Sequence, residues 1–491
     1  MKKNILYLAL LLVSFTFVSC EKEYLEVDPT ASVSEAAVFT TTTNAWAAIN
    51  GIHRTLYAQF GNMDEAGQSG IMMDIDFLGD DLVMHATGNG WFNNTHKWIN
   101  HRNENSALVY FAYRHFYRII GNANMIIANI ENAEGPTADK NSIKGQALAY
   151  RAWSHWVMVQ FYAKRYDWTQ KPNSQPGIPL ILEPTTEGFP RSTVEEVYAQ
   201  SMKDINEAIT LLQAGVTGKA KSHISVRAAQ GIKARIALAM GDWATAQTAA
   251  NAARTGLNLM SQAQVLEGFN NINNPEVIWG SFVQEDQTTY FHSFFAFMSW
   301  NFSSTFSRTN PIKINSALYD KISATDIRKK LFVEKAADVV VPLTTFVKTN
   351  HHAIKFTAVG VSDSRGDVPY MRVAEMILVE AEALARQNKF TEAQDLLFVL
   401  AKNRDANYVK TERTGQELID EILLQRRIEL WGEGFRWTDL KRMNLPLNRN
   451  GANHNPSLAQ IFDVPPGDLQ WVWKIPKAEL DANKNIGDQN P

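Results

Sequence analysis

The sequence predicts a mainly α-helical body with one irregular, partly β insertion, and three observations carry that expectation. Apolar residues recur at helical spacing through most of the chain after residue 43. Two stretches, 225–253 and 369–404, spell the same plan of helix, short turn and helix, with alanines at facing positions. Between them, residues 257–367 lose that period and become short, aromatic and β-branched, punctuated by Asn, Pro and Gly.

The first element is not structural. Lys2 and Lys3 precede an apolar run from Ile5 to Val18, and the small Ser19 stands before Cys20, the only cysteine in 491 residues. The run is too short to cross ~30 Å of hydrocarbon comfortably and has the layout of an export signal. The expectation is therefore a lipoprotein leader over 1–19, acylation at Cys20, a lipidated tether over 20–42 and a water-soluble body over 43–491. Each buried acyl methylene contributes ~0.8 kcal/mol, so two or three chains hold a protein at a bilayer. Later apolar stretches cannot span: Met371 to Leu384 is broken by Arg372, Glu375, Glu380 and Glu382. The membrane is thus met through the lipid anchor alone.

Within the body, Trp46, Ile49, Ile52, Leu56 and Tyr57 predict a helix over 43–60 with Asn44 as its cap. Further helices are expected over 107–132 and 143–165. The stretch 171–190 holds five prolines and reads as loop. The repeated plan at 225–253 turns at Gly241-Asp242-Trp243, and that at 369–404 turns at Gln387-Asn388-Lys389-Phe390. Alanines let two antiparallel helices approach closely while the aromatic after each turn closes the pair, as in tetratricopeptide hairpins. Near the end, Glu429, Glu433, Arg436 and Asp439 fall three or four apart and predict a charge ladder on one helix end near Gly434, a structural rather than catalytic use.

Composition narrows the function. There are 48 basic against 51 acidic residues, or 46 against 51 without the leader lysines. Such a mildly acidic chain lacks the phosphate-neutralising footprint of a nucleic-acid binder. With Cys20 acylated, disulfides are excluded. No zinc-protease helix, phosphate-binding glycine loop or nucleophile elbow is spelled. Glycoside hydrolysis needs only two carboxylates in a sugar cleft and stays open as the enzymatic alternative. Asp74, Asp76, Asp80 and Asp81 form the densest acidic group. They are the candidate ligands for a hard cation such as calcium, although the EF-hand spacing is missing and helix capping competes. The His351-His352 pair reads as a surface feature.

Aromatic content is high, with 13 Trp, 14 Tyr and 25 Phe. Most should pack in the core, but two groups sit among polar residues. Trp91, Phe92 and Trp98 lie among Asn89, Asn93, Asn94, Thr95 and Asn100, and Tyr290 to Trp300 is followed by Asn301, Ser303 and Ser304. A pyranose offers an apolar C–H face and a hydroxyl rim, which suit a flat ring beside an amide. Trp91, Asn94, Trp98, Tyr290 and Trp300 are the candidate sugar contacts.

Five ordered motifs resemble the SusD/RagB family of Bacteroidetes outer-membrane nutrient-binding lipoproteins. They are Tyr24-Leu25-Glu26-Val27-Asp28-Pro29 behind Cys20, Arg151-Ala152-Trp153 with Phe161-Tyr162, and Pro369 to Glu375 with Glu380 to Ala383. The fourth is the run from Arg426 to Arg442, and the last is Ile475-Pro476 with Glu479, Asn483 and Gln489-Asn490-Pro491. Trp168 to Gln170 departs from the glycine and proline more usual there. Glu21-Lys22-Glu23 resembles the family's surface-export signal, which implies an outer-membrane protein facing outside the cell. The resemblance implies capture of an oligosaccharide or polysaccharide fragment, with no cofactor and no catalysis, and transfer to a partner SusC-like TonB-dependent transporter. It places the glycan site in the two aromatic regions. A pure helical-repeat adaptor, or a binder of peptide or another nutrient, is the competing non-enzymatic class.

Overall fold

The computed structural model describes residues 38–218, 220–287 and 290–491, so the leader, Cys20 and the tether up to residue 37 lie outside the described residues. Helices dominate. The longer ones are α1 (Thr42–Thr55), α2 (Gly67–Leu78), α3 (Ala107–Asn129), α4 (Thr137–Tyr162), α5 (Val194–Gln213), α6 (Val226–Met240), α7 (Trp243–Arg254), α8 (Val373–Arg386), α9 (Phe390–Arg404), α10 (Gly415–Glu429) and α11 (Arg436–Arg442).

The boundaries have local causes. Thr41, not Asn44, caps α1, its hydroxyl accepting the Asn44 amide at 3.2 Å. The helix ends before the expected residue 60 because the Leu56 carbonyl accepts the Gln68 amide, which starts α2, at 2.8 Å. Helix α2 has no readable period, since every residue in it except Gln68 is buried. Helix α4 begins after Pro136, a turn and a half before the expected start, through a polar first turn that hides it. Helix α5 carries a capping box between Thr193 and Glu196.

The two hairpins stack on each other. Helix α7 packs on both α6 and α8, and α8 packs on α9 and α10, so the segment between α7 and α8 is looped out of a continuous helical array. Ala246, Ala249, Ala250 and Ala253 of α7 and Ala374, Ala381 and Ala385 of α8 are buried and keep the axes close. At the first turn Gly241 has φ +72° and a Cβ there would meet the Trp168 Cβ at 2.5 Å, so the departure at Trp168 covers the hairpin end. Arg386 lies over both Trp168 and Trp243 there.

The looped-out segment carries short strands. Numbered with one strand that precedes it, these are β1 (Leu82–Val83), β2 (Val277–Gly280), β3 (Lys313–Ile314), β4 (Phe332–Val333), β5 (His352–Ala353) and β6 (Pro369–Arg372). An antiparallel sheet runs β1-β3-β5-β4, with Leu82 opposite Ile314 and Phe332 opposite Ala353. Pairing of β2 with β6 makes 369–372 a strand leading into α8. His352 is buried in β5, which corrects its reading as a surface residue.

The C-terminal charges do not form a ladder along one helix. Gly432 (φ +77°) and Gly434 (φ +81°) reverse the chain between α10 and α11, and the Met72 backbone would meet a Cβ at Gly434 at 2.8 Å. The charges therefore reach distant partners. Glu429 binds Arg328 at 3.1 Å, Arg372 at 3.1 Å and Arg404 at 2.9 Å; Glu433 binds Arg372 at 2.7 Å and Lys355 at 2.6 Å. Arg404 and Arg372 also meet Glu276, and Arg328 meets Asp326. These four cations and four carboxylates are buried, so each charge is compensated where water is absent. The network ties the looped-out segment to the hairpin and to α10.

Candidate functional site

The two aromatic regions meet. Phe92 stacks on Phe77 of α2 at 4.5 Å and stands edge-on to Phe297 at 5.2 Å and to Phe306 at 6.1 Å. Trp91, half-buried, stands edge-on to the same Phe297 at 6.5 Å. Asn310 clamps the first region to the second, its Oδ1 accepting the amides of His85 and Ala86 at 2.9 and 2.8 Å. Asn94 is exposed on the short helix Asn93–His96.

Trp98 does not join this surface. It is 3% exposed, its indole donates to the Leu78 carbonyl at 2.8 Å, and it lies edge-on to Trp471 at 5.0 Å. Its expected role as a sugar platform is corrected to core packing, since a ring closed on both sides offers no face to a ligand.

In the second region, Tyr290 is 49% exposed and Phe291 39% exposed. The two rings stand edge-on at 4.5 Å, and both lean on buried Phe302, at 5.3 and 6.1 Å. A neighbouring segment holds them in place. The Ser364 hydroxyl donates to the Tyr290 carbonyl at 2.7 Å, the Ser303 amide donates to the Val361 carbonyl at 2.8 Å, and Asn301 exchanges two bonds with Ala358. Gly366 permits this approach because a Cβ there would strike the Phe295 ring at 2.3 Å. Trp300 is half-buried and spends its indole N–H on the Thr357 hydroxyl at 3.0 Å, which leaves its ring without a free donor. Arg365, which follows Ser364, is held by Asp363 at 2.5 Å.

Sequence reasoning missed Phe302 as the shared backing and the 356–366 segment as the brace. Only the serines and asparagines of that region hinted that side chains would hydrogen-bond to backbone.

The aspartates disperse instead of converging. Asp74 accepts from Thr95 at 3.0 Å, Asp76 accepts the Gly434 amide at 2.7 Å, Asp80 pairs with Arg436 at 2.5 Å and Asp81 with Arg427 at 2.5 Å. Burial raises Asp76 to about 7. Burial would also raise Asp80, but the Arg436 guanidinium outweighs it and holds the carboxyl at about 2. A calcium ion needs several ionised oxygens aimed at one point. Among the described residues no three His, Cys, Asp or Glu side chains form such a group, and the four aspartates, weak metal candidates by sequence, instead meet a hydroxyl, a backbone amide and two arginines.

The same architecture occurs elsewhere. Residues 290–491 match the SusD family, and residues 23–238 match a family described as starch-binding, associating with the outer membrane. The chain belongs to the SusD/RagB family. A SusD-like protein of Formosa agariphila is 24% identical over 100% of this chain and 99% of its own length. Another from the same organism is 36% identical, over only 18% of this chain and 20% of its own. Among solved structures, a SusD-like carbohydrate binding protein of Bacteroides vulgatus is 26% identical with a TM-score of 0.79, covering 91% of this chain and 98% of its own. A SusD superfamily protein of Bacteroides thetaiotaomicron is 23% identical with a TM-score of 0.78, covering 92% and 100%. The mainly helical body is that of the SusD-like fold. No helix among the described residues is long and apolar enough to cross a membrane.

Proposed function

We propose that this chain is a lipid-anchored protein of the outer membrane that captures oligosaccharides outside the cell and passes them to a TonB-dependent transporter, without catalysing a reaction. The observation that carries the reading is the exposed Tyr290–Phe291 pair, braced on Phe302, in the same looped-out segment whose Phe297 meets Trp91. Exposed aromatic rings cost solvation unless a ligand covers them, and sugar C–H faces are suitable covers. Trp91, Asn94, Tyr290 and Trp300 remain the proposed contacts. Family membership supports the reading, as does the likeness to a SusD-like carbohydrate binding protein of Bacteroides vulgatus, 26% identical. Sugar hydroxyls exchange water for protein bonds at ~0.5–1.5 kcal/mol each, so affinity should be modest.

The test is titration calorimetry of the mature chain carrying Cys20→Ser against plant, host and microbial glycans, with a reducing-end assay on the same mixtures. Saturable heat without new ends, weakened about tenfold by Tyr290→Ala, is expected. New reducing ends would replace the reading with a hydrolase. Silence across the panel would sink sugar capture.

A further inference from the structure

A second concavity lies elsewhere on the molecule. One wall is the outer face of α3, where Tyr110, Tyr113 and Tyr117 recur at helical spacing and Arg118 follows. The other walls are the 179–189 loop and the helix Lys477–Ala482. The groove measures about 620 Å³, within the range of small-molecule sites, and shares no residue with the aromatic surface described above.

It is preformed. The Tyr117 hydroxyl donates to the Pro179 carbonyl at 2.8 Å, and Asn124 donates to the carbonyls of Ile181 and Glu183 at 3.0 and 3.2 Å. Asn483 donates to the Phe189 carbonyl at 2.9 Å and Asn485 to that of Gly188 at 2.8 Å, which fixes the loop to the C-terminal segment. Gly188 is needed for that seam, because a Cβ would strike the Asn483 side chain at 2.3 Å.

Its lining mixes aromatic rings with polar and charged groups. Tyr110 is 46% exposed although it is large and aromatic. Tyr113 is 7% exposed and stands beside Tyr117, the ring centroids 4.6 Å apart. The Arg118 guanidinium lies over the Phe60 ring at 5.6 Å, and Glu479, which accepts from Asn483 at 2.8 Å, brings a carboxylate to the facing wall. Ring faces interleaved with hydroxyl, guanidinium and carboxylate groups match a polyhydroxylated ring better than an apolar peptide anchor, which would take water from those groups and offer no hydrogen bond in return.

We infer that the groove between α3, the 179–189 loop and the C-terminal helix is a second binding site for a pyranose-based oligosaccharide. The inference rests on the sugar-capture reading. Two sites on one chain would hold separate segments of a long glycan, and linking them raises retention without any new contact.

The experiment titrates maltoheptaose, xylohexaose, laminarihexaose and mannohexaose into the mature chain carrying Cys20→Ser, and into three variants of it. The first variant, Trp91→Ala with Tyr290→Ala, removes the aromatic surface. The second, Tyr110→Ala, truncates an exposed ring. The third, Ala478→Trp, fills the groove from an exposed position. Thermal melts should match the parent for both groove variants.

Saturable heat that survives the first variant for at least one sugar, and that falls fivefold or more when either groove change is added, is the expected result. Complete loss in the first variant, with no effect of Tyr110→Ala or Ala478→Trp in the parent, would overturn the second site while leaving sugar capture intact. Binding that depends on Tyr110 and ignores Trp91 and Tyr290 would support the groove and overturn the aromatic surface. Absence of heat with all four sugars in the parent would overturn the groove as a site for these linkages.

Discussion

Replacing Glu429 with Gln tests whether the buried charge network holds the looped-out segment to the helical array. The carboxylate is 3% exposed and accepts from Arg328, Arg372 and Arg404. Glu429→Gln keeps the shape but removes the charge, leaving three guanidinium groups to share Glu276, Glu433 and Asp326. Breaking a buried pair from one side costs about 3–5 kcal/mol, because the surviving charge is left in a poorly solvating interior. Unfolding entropy of about 2.1 cal/mol/K per residue gives roughly 1 kcal/mol/K over some 450 residues, so the expected drop in melting temperature is about 3–5 °C. Urea unfolding should show the same loss as a lower midpoint. Proteolysis should cut first within 257–367, which the network anchors through Glu276, Asp326, Arg328 and Lys355. A loss below about 1 kcal/mol, or cleavage that does not favour this segment, would refute the reasoning.

Three further outcomes are expected. Trp98→Ala should cost about 3–5 kcal/mol as a large core truncation, whereas Tyr290→Ala should leave stability within about 0.5 kcal/mol and change sugar binding; urea titrations of the two variants separate these roles. Gly434→Ala should lower stability by more than about 1 kcal/mol, since it combines φ +81° with a 2.8 Å approach to the Met72 backbone, and a thermal melt reads it. Acid should destabilise in two stages, read from urea midpoints between pH 8 and pH 2. Burial holds His352 and His454 at about 4 and His101, His115 and His155 at about 3. The unfolded chain therefore binds more protons below about 6.5, and each histidine removes up to about 1.4 kcal/mol per pH unit as pH falls towards its folded value. Glu382 and Asp80, whose arginine partners outweigh burial and hold them at about 2, contribute stability that is present above about 4.5 and lost between there and about 2. A midpoint flat from pH 6.5 to 4.5 would contradict the first stage.

Local patterns were legible where one side of an element faces water. The hairpins showed their alanines and turns, and α3 showed its apolar stripe, because half-exposed helices carry a period. Helix α2 is buried on all sides and gave no period, so Asp74 and Asp76 read only as part of a dense acidic group when they are helix residues aimed at Thr95 and Gly434. Trp98 was indistinguishable from Trp91 in composition, since both sit among asparagines; only the packing of Trp471 against one of them decides that it is core.

The sequence by itself determined the mainly helical class, the paired hairpins, the looped-out segment and the family, because these rest on spacing between near neighbours and on ordered motifs. The tertiary structure decided everything that depends on partners far apart in the chain. It sent Arg436 to Asp80 and Arg427 to Asp81, joined Glu429 to three arginines from three segments, buried Trp98 and left Tyr290 in water. Charge pairing and ring exposure are set by which surfaces meet, and a linear pattern does not carry that information.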